Sequence, residues 1–298
     1  MVERATGGQK IAAIVIHVVL VVAALVCLAP MINVLAVSFS SRAAADAGLI
    51  SFWPVQFTLS SYRFVVTESA FGRAFLVSIQ RVLLGTGLDM LLIVLVAYPL
   101  SKESSAFRMR TVYAWFFFIT LLFGGGLIPT YMTVRATHLI DTIWALVLPV
   151  GVPVFNVVLM LNFFRTLPKE LEDSAAMDGA GHFRILFRIY LPLSPAALAT
   201  LTLFTAVFHW NSWFDGMIYM NSPQKYPMQT YLQAMIMRMQ TMLDQMSRDS
   251  EMWLIADEIS DRTARAAQIF AGALPIILTY PFLQRYFIKG MVLGSVKQ

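Results

Sequence analysis

Charge is scarce in this chain. Only 13% of its 298 residues are Asp, Glu, Lys or Arg, and 58% are hydrophobic. A soluble globular domain carries about 25% charged and about 45–50% apolar residues, so the composition excludes an ordinary water-soluble fold and points to lipid as the solvent. Cysteine is nearly absent. Cys27 is the only one; it cannot form an internal disulfide, and inside an apolar run it reads as a small hydrophobe. The four histidines, His17, His138, His182 and His209, show no metal-ligand spacing, so no metal and no bound cofactor is assigned to this chain. The dipeptide Gly-Lys does not occur, which excludes a phosphate-binding loop of the GxxxxGK[ST] type. The net charge of +5 is not gathered into a basic stripe, and the aromatics lie inside apolar runs, which argues against nucleic acid. No nucleophile and base pair suggests an intramembrane enzyme.

Long apolar runs fill the rest. A helix needs about 20 mainly apolar residues to cross roughly 30 Å of hydrocarbon. Residues 11–41 lack Asp, Glu, Lys and Arg; the run is too long for a signal-peptide core and reads as a first span. The sequence predicts an all-α polytopic membrane domain over 11–290, with spans near 11–37, 75–100, 111–134, 142–164, 195–220 and 266–287. A short N-terminal segment, 1–10, precedes it and a tail, 291–298, follows. The second span carries Arg81 and Asp89. Arg81 lies near one end and is expected to snorkel. Asp89 lies deeper, where an unpaired charge costs at least a few kcal/mol, so it is expected to pair within the bundle. Gly124, Gly125 and Gly126 permit close approach or a kink, and prolines within spans are tolerated in membrane bundles.

Lys and Arg set orientation. With the N-terminus inside, the inner segments hold twelve basic residues in 64 positions and the outer ones nine in 88. Both termini, and the segment 165–194, are then cytoplasmic.

That segment stands out. Pro168 suits a helix start, Glu170, Glu172 and Asp173 favour the positive end of that helix, and Asp178-Gly179 supplies a turn. A second helix would place Phe183, Leu186, Phe187 and Tyr190 on one face. Ser174, Ala175 and Ala176 are small enough for another surface to approach. By physics alone, a docking hairpin and a helix pair resting on lipid headgroups are both open. Asp173-Ser174-Ala175, Gly179, Ile189 and Leu191-Pro192 reproduce the spacing of the coupling motif Glu-Ala-Ala, three residues, Gly, nine residues, Ile, one residue, Leu-Pro. Asp173 stands for Glu and Ser174 for Ala.

By these residues the chain resembles the permeases of binding-protein-dependent ABC importers of the maltose-transporter type. The likeness is closest to the carbohydrate subgroup serving complex oligosaccharides. Further residues that carry it are Phe57-Thr58-Leu59, Ala97-Tyr98-Pro99-Leu100-Ser101, Gly125-Gly126-Leu127-Ile128-Pro129, Trp210-Asn211 and Tyr280-Pro281-Phe282. The resemblance implies six spans in a bacterial or archaeal cytoplasmic membrane. It implies a second, homologous permease, an ATPase dimer that binds ATP and magnesium, and a solute-binding protein that delivers sugar. It also implies that Glu172, Asp173, Ser174, Ala175, Asp178, Gly179, Ile189, Leu191 and Pro192 meet the ATPase.

For the sugar path the candidates are Asn156, Asn162, Trp210, Asn211, Trp213 and Asp215, because sugars are held by polar groups and aromatic faces. Packing and interhelical hydrogen bonds explain these residues equally well. The loop 221–265 carries Met228, Met235, Met237, Met239, Met242 and Met246, which suit either a contact with the binding protein or a helix on the bilayer surface. The competing function is a secondary transporter or channel that needs no ATPase; paired ionisable residues deep in several spans would mark it.

Overall fold

The computed structural model describes residues 7–66, 69–245 and 262–278. Among the described residues every regular element is helical. They divide into two units, residues 7–66 and 69 with 235–245 and 262–273, and residues 70–234 with 274–278.

In the first unit, α1 (Gly7–Ser38) contains an apolar run, Ile11–Ser38, whose most apolar 18 residues have a mean hydropathy of 3.1 and are all unburied. A helix apolar on every side is a membrane span. After it come α2 (Arg42–Asp46), whose N-cap Ser41 accepts the Ala44 N–H, and α3 (Ser60–Val66). The Asn33 amide donates to the Ile50 and Ser51 carbonyls at 3.3 and 2.6 Å, and Phe39 packs on Phe57 and Tyr62. Small residues form the core here: Ala36, Ala44, Ala45 and Ala266 are all buried. Their size lets backbones approach closely, and Arg262, in a helix over 262–278, donates to the Ala45 carbonyl at 2.9 Å.

In the second unit, α4 (Ser69–Ser101) is a 33-residue helix, about 50 Å long at about 1.5 Å per residue. The following elements are broken. Where the sequence predicts one span over 111–134, the chain forms α5 (Arg110–Leu122) and α6 (Leu127–Ala136), bent by 114° at the glycine run; Gly126 takes φ +79°. Where one span is predicted over 142–164, α7 (Trp144–Val147) and a 3-10 turn meet α8 (Val154–Arg165) at 52°. Pro149 and Pro153 remove donors at that break. The hairpin helices α9 (Lys169–Met177) and α10 (His182–Ile185) follow, and α10 widens into a π turn, Leu186–Tyr190. The segment His182–Tyr190 then meets α11 (Pro195–Asn211) at 91°. The predicted fifth span, 195–220, therefore stops at Asn211, and α12 (Phe214–Tyr219) is a separate helix. The predicted loop 221–265 opens on an 18-residue helix, α13 (Met228–Gln245).

Among the described residues, two helices are long and apolar enough to cross a bilayer alone, or up to five segments if each bent pair is one span. The predicted sixth span, 266–287, lies partly outside the described residues, as do the tail 291–298, Met246 and the Tyr280-Pro281-Phe282 motif. The main core joins Ile93, Ala97 and Tyr98 of α4, Met160 and Phe164 of α8, Ile185, Leu186 and Tyr190, and Leu201 of α11. It therefore sits directly beneath the hairpin.

Candidate functional site

The hairpin is built by its caps. Pro168 precedes α9 in extended conformation, and Glu170 and Glu172 occupy the first turn, where carboxylates favour the helix dipole. At the other end Asp178 is the C-cap. The Gly179 N–H donates to the Ala176 carbonyl at 3.0 Å and the Ala180 N–H to that of Ala175 at 2.9 Å. That pair of bonds needs a left-handed residue between them, and Gly179 supplies it at φ +75°. A Cβ at Gly179 would meet nothing within 4 Å, so its backbone angle, not crowding, requires glycine.

The second helix corrects one expectation. The four residues expected on one face do not share an environment: Leu186 and Tyr190 are buried, Phe183 and Phe187 are exposed, and Ile185 joins the core. From Leu186 on, the π turn adds a residue per turn and breaks the 3.6-residue spacing that the sequence pattern assumes.

An ion pair caged by aromatic rings fixes the hairpin to the end of α4. Lys102 donates to Glu172 Oε2 at 2.6 Å and to the Tyr190 hydroxyl at 3.0 Å. The Tyr190 hydroxyl donates to the same carboxylate oxygen at 2.6 Å. The Lys102 ammonium lies 4.0 Å from the Tyr98 ring centre and 4.2 Å from that of Tyr190, within cation–π range. Tyr98, Phe164 and Tyr190 meet edge to face. Burial raises the Glu172 carboxyl, but the hydrogen bonds from Lys102 and Tyr190 outweigh it and hold the group below its ordinary value. Burial, with the neighbouring Glu172, pushes the Tyr190 hydroxyl up, so it stays a donor.

Of the predicted hairpin residues, Glu172 thus points into the protein's own interior. Asp173, Ser174, Asp178, Gly179 and Pro192 are exposed. Ala175, Ile189 and Leu191 are half-buried against the core. Met177 is 89% exposed and Phe183 72%, two large apolar side chains at the hairpin surface.

The sugar-path candidates scatter. Asn156 is buried and Asn162 exposed, on different sides of α8. Trp210 is buried edge-on to Phe75, with ring centres 5.9 Å apart. Asn211 and Trp213 are exposed. Asp215 is held by Arg81, which donates to both its oxygens and, at 3.1 Å, to the Ser212 carbonyl. Arg81 is fully buried, so it does not snorkel. Asp89 pairs inside the bundle, with His209 Nε2 at 3.0 Å. A Cβ at Gly85, one turn from each charge, would overlap the His209 ring. Sequence reasoning missed three of these partners: Lys102, His209 and the Arg81–Asp215 pair. The signal available was the need of each in-span charge for a counter-charge.

The fold and these sites define a polytopic helical membrane protein. No family model matches the chain. It is 36% identical over 274 residues to the polygalacturonan/rhamnogalacturonan transport system permease protein YtcP of Bacillus subtilis (strain 168), covering 92% of this chain and 94% of that protein. It is also 36% identical to protein LplC of the same organism, over 90% and 88% of the two chains. A solved bacterial ABC transporter involved in the import of the acidic polysaccharide alginate contains a chain that superposes with a TM-score of 0.79 at 31% identity, over 95% of this chain and 99% of that one. The chain belongs to the permease subunits of ABC carbohydrate importers.

Proposed function

We propose that this permease takes up an oligosaccharide or polysaccharide fragment, acidic fragments included, delivered by a solute-binding protein, and that a separate ATPase drives it through the hairpin 165–194. The observation that carries the reading is the two-sidedness of that hairpin. Its inner side is tied down by Glu172 and Tyr190. Its outer side presents Asp173, Ser174 and Gly179 beside the exposed Met177 and Phe183. Apolar side chains rimmed by polar ones are the mark of a partner surface, and methionine adapts well to one. Nucleotide chemistry resides in the partner, where ATP and magnesium bind; this chain converts the partner's movement into alternating access, through contacts that differ between two states.

The remaining parts follow the family pattern. Six spans place both termini and the hairpin in the cytoplasm, in a bacterial or archaeal cytoplasmic membrane. A second homologous permease completes the pathway, and Asn211 and Trp213 line it. A secondary transporter is the competing reading, because Arg81–Asp215 and Asp89–His209 are ionisable pairs within or beside spans. Within each pair the two groups are each other's partners, however, and the family is an ATP-driven one.

Met177→Arg and Gly179→Trp test the reading in the assembled importer. Uptake should fall to background, and the ATPase should no longer co-purify, while membrane insertion is unchanged. Retained uptake in both variants would show that the hairpin is not the docking element. Uptake by the permeases alone without nucleotide would favour the secondary transporter.

A further inference from the structure

The hairpin is joined through the chain to α8 and α11, which must follow it when it moves. Helix α4 has no such link: Lys102 lies 70 residues from Glu172 and 88 from Tyr190. Only non-covalent contacts can carry hairpin movement into α4. The apolar ones, Ile93, Ala97 and Tyr98 against Ile185 and Leu186, are non-directional and can slide. Of the directional contacts, Lys169–Glu103 is exposed and Arg165 reaches the Leu100 carbonyl only at 3.4 Å; the short, largely buried one is the Lys102–Glu172–Tyr190 triangle. Further along α4, polar contacts recur at positions 78, 81 and 89, on one side of the helix. The Ser78 hydroxyl accepts the Met228 N–H at 2.7 Å, Arg81 holds Asp215, and Asp89 holds His209. Helix α4 is therefore gripped by the hairpin at one end and, at Ser78, Arg81 and Asp89, by α11, α12 and the start of α13.

We propose that Lys102, Glu172 and Tyr190 are positioning residues for coupling: they make α4 the rod that carries hairpin movement to the far half of the bundle. This rests on the reading of the hairpin as the ATPase-driven element. Glu172 is assigned to transmission inside the permease and not to contact with the ATPase. Its Oε2 accepts from both Lys102 and Tyr190, which turns the side chain inward, whereas Asp173 beside it faces outward.

The test uses the reconstituted importer with both permeases, the ATPase and the loaded binding protein. It reads sugar transported per ATP hydrolysed, which a merely structural role would leave unchanged in the complexes that assemble. Glu172→Gln and Lys102→Met should each lower that ratio at least about tenfold, the scale of one lost charge-assisted hydrogen bond, with the ATPase still bound. The double variant should be no worse than the worse single, because the residues act as one unit. Lys102→Glu with Glu172→Lys should recover part of the ratio. Tyr190→Phe, which keeps the ring and the packing, should give a smaller loss of the same kind. An unchanged ratio in both singles, or fully additive losses, overturns the proposal. Loss of the ATPase from the Glu172→Gln complex also overturns it, but leaves the docking reading standing, since Glu172 would then belong to the docking surface.

Discussion

The two stretches of α4 handle charge differently. Around its middle, Arg81 and Asp89 are fully buried and each has one charged or titratable partner, Asp215 of α12, which keeps 20% of its side chain exposed, and the buried His209 of α11. At the hairpin end, Lys102 and Glu172 keep 11% and 21% of their side chains exposed, and aromatic rings share the work of holding the cation. Burial sets how much a polar contact matters. A buried charge stripped of its partner is left in a medium that cannot solvate it, whereas a charge at the rim finds water. The interior pairs hold the helices in place, and the hairpin pair can change without the fold being lost.

That contrast can be broken most severely at Asp215. Asp215→Ala leaves Arg81 buried without a counter-charge and should cost about 3–5 kcal/mol, read by denaturant unfolding of the purified permease. Arg81→Met combined with Asp215→Leu should cost less than the single change. If the single variant is as stable as the parent, water reaches Arg81 and the interior is not dry.

A smaller effect belongs to Asp141, at the rim, where the carboxylate is about three-quarters covered. It accepts from Lys225 at 2.6 Å, from the Ser222 hydroxyl, and from the N–H groups of Asn221 and Ser222. The Lys225 bond, above all, with help from Ser222 and Asn221 and against the opposing effect of burial, lowers its pKa from 3.8 to about 2. A depressed carboxylate contributes stability above its unfolded value and loses it as pH falls toward the folded one. Asp141→Asn should therefore melt a few degrees below the parent at pH 6, and the gap should close between about pH 4 and pH 2. A gap that persists at the acid end would mean that the side chain acts by shape and not by charge.

The smallest effect is expected at Lys169–Glu103, an ion pair with 68% and 64% of its side chains exposed. Glu103→Gln should leave both melting temperature and uptake unchanged, since exposed pairs contribute little. A clear loss there would place this pair under a partner, and would erase the distinction between rim and interior.

Much of this was legible in the sequence. A charge-free run gave α1, an apolar run interrupted by Arg81 and Asp89 gave most of α4, and the cap signals at Pro168 and Asp178-Gly179 gave the hairpin. Asp89 announced its need for an internal partner by its depth alone. The breaks were not legible, because glycine and proline permit a bend without fixing its angle; packing decides that. Nor were the partners of Arg81 and Asp89, which lie 134 and 120 residues away. That Glu172 rather than Asp173 faces Lys102 was not legible for a simpler reason: adjacent acidic residues on a helix point about 100° apart, and nothing in the pattern says which one turns inward.

The long reach of those pairs has a consequence for biosynthesis. Asp215 is added 134 residues after Arg81. At about 5–20 residues per second, the arginine waits on the order of ten seconds for its counter-ion. During that interval α4 cannot rest comfortably among acyl chains, whereas α1, bare of charge over Ile11–Ser38, can enter the bilayer as soon as it emerges from the ribosome. Stable integration of α4 must therefore await completion of α11 and the start of α12.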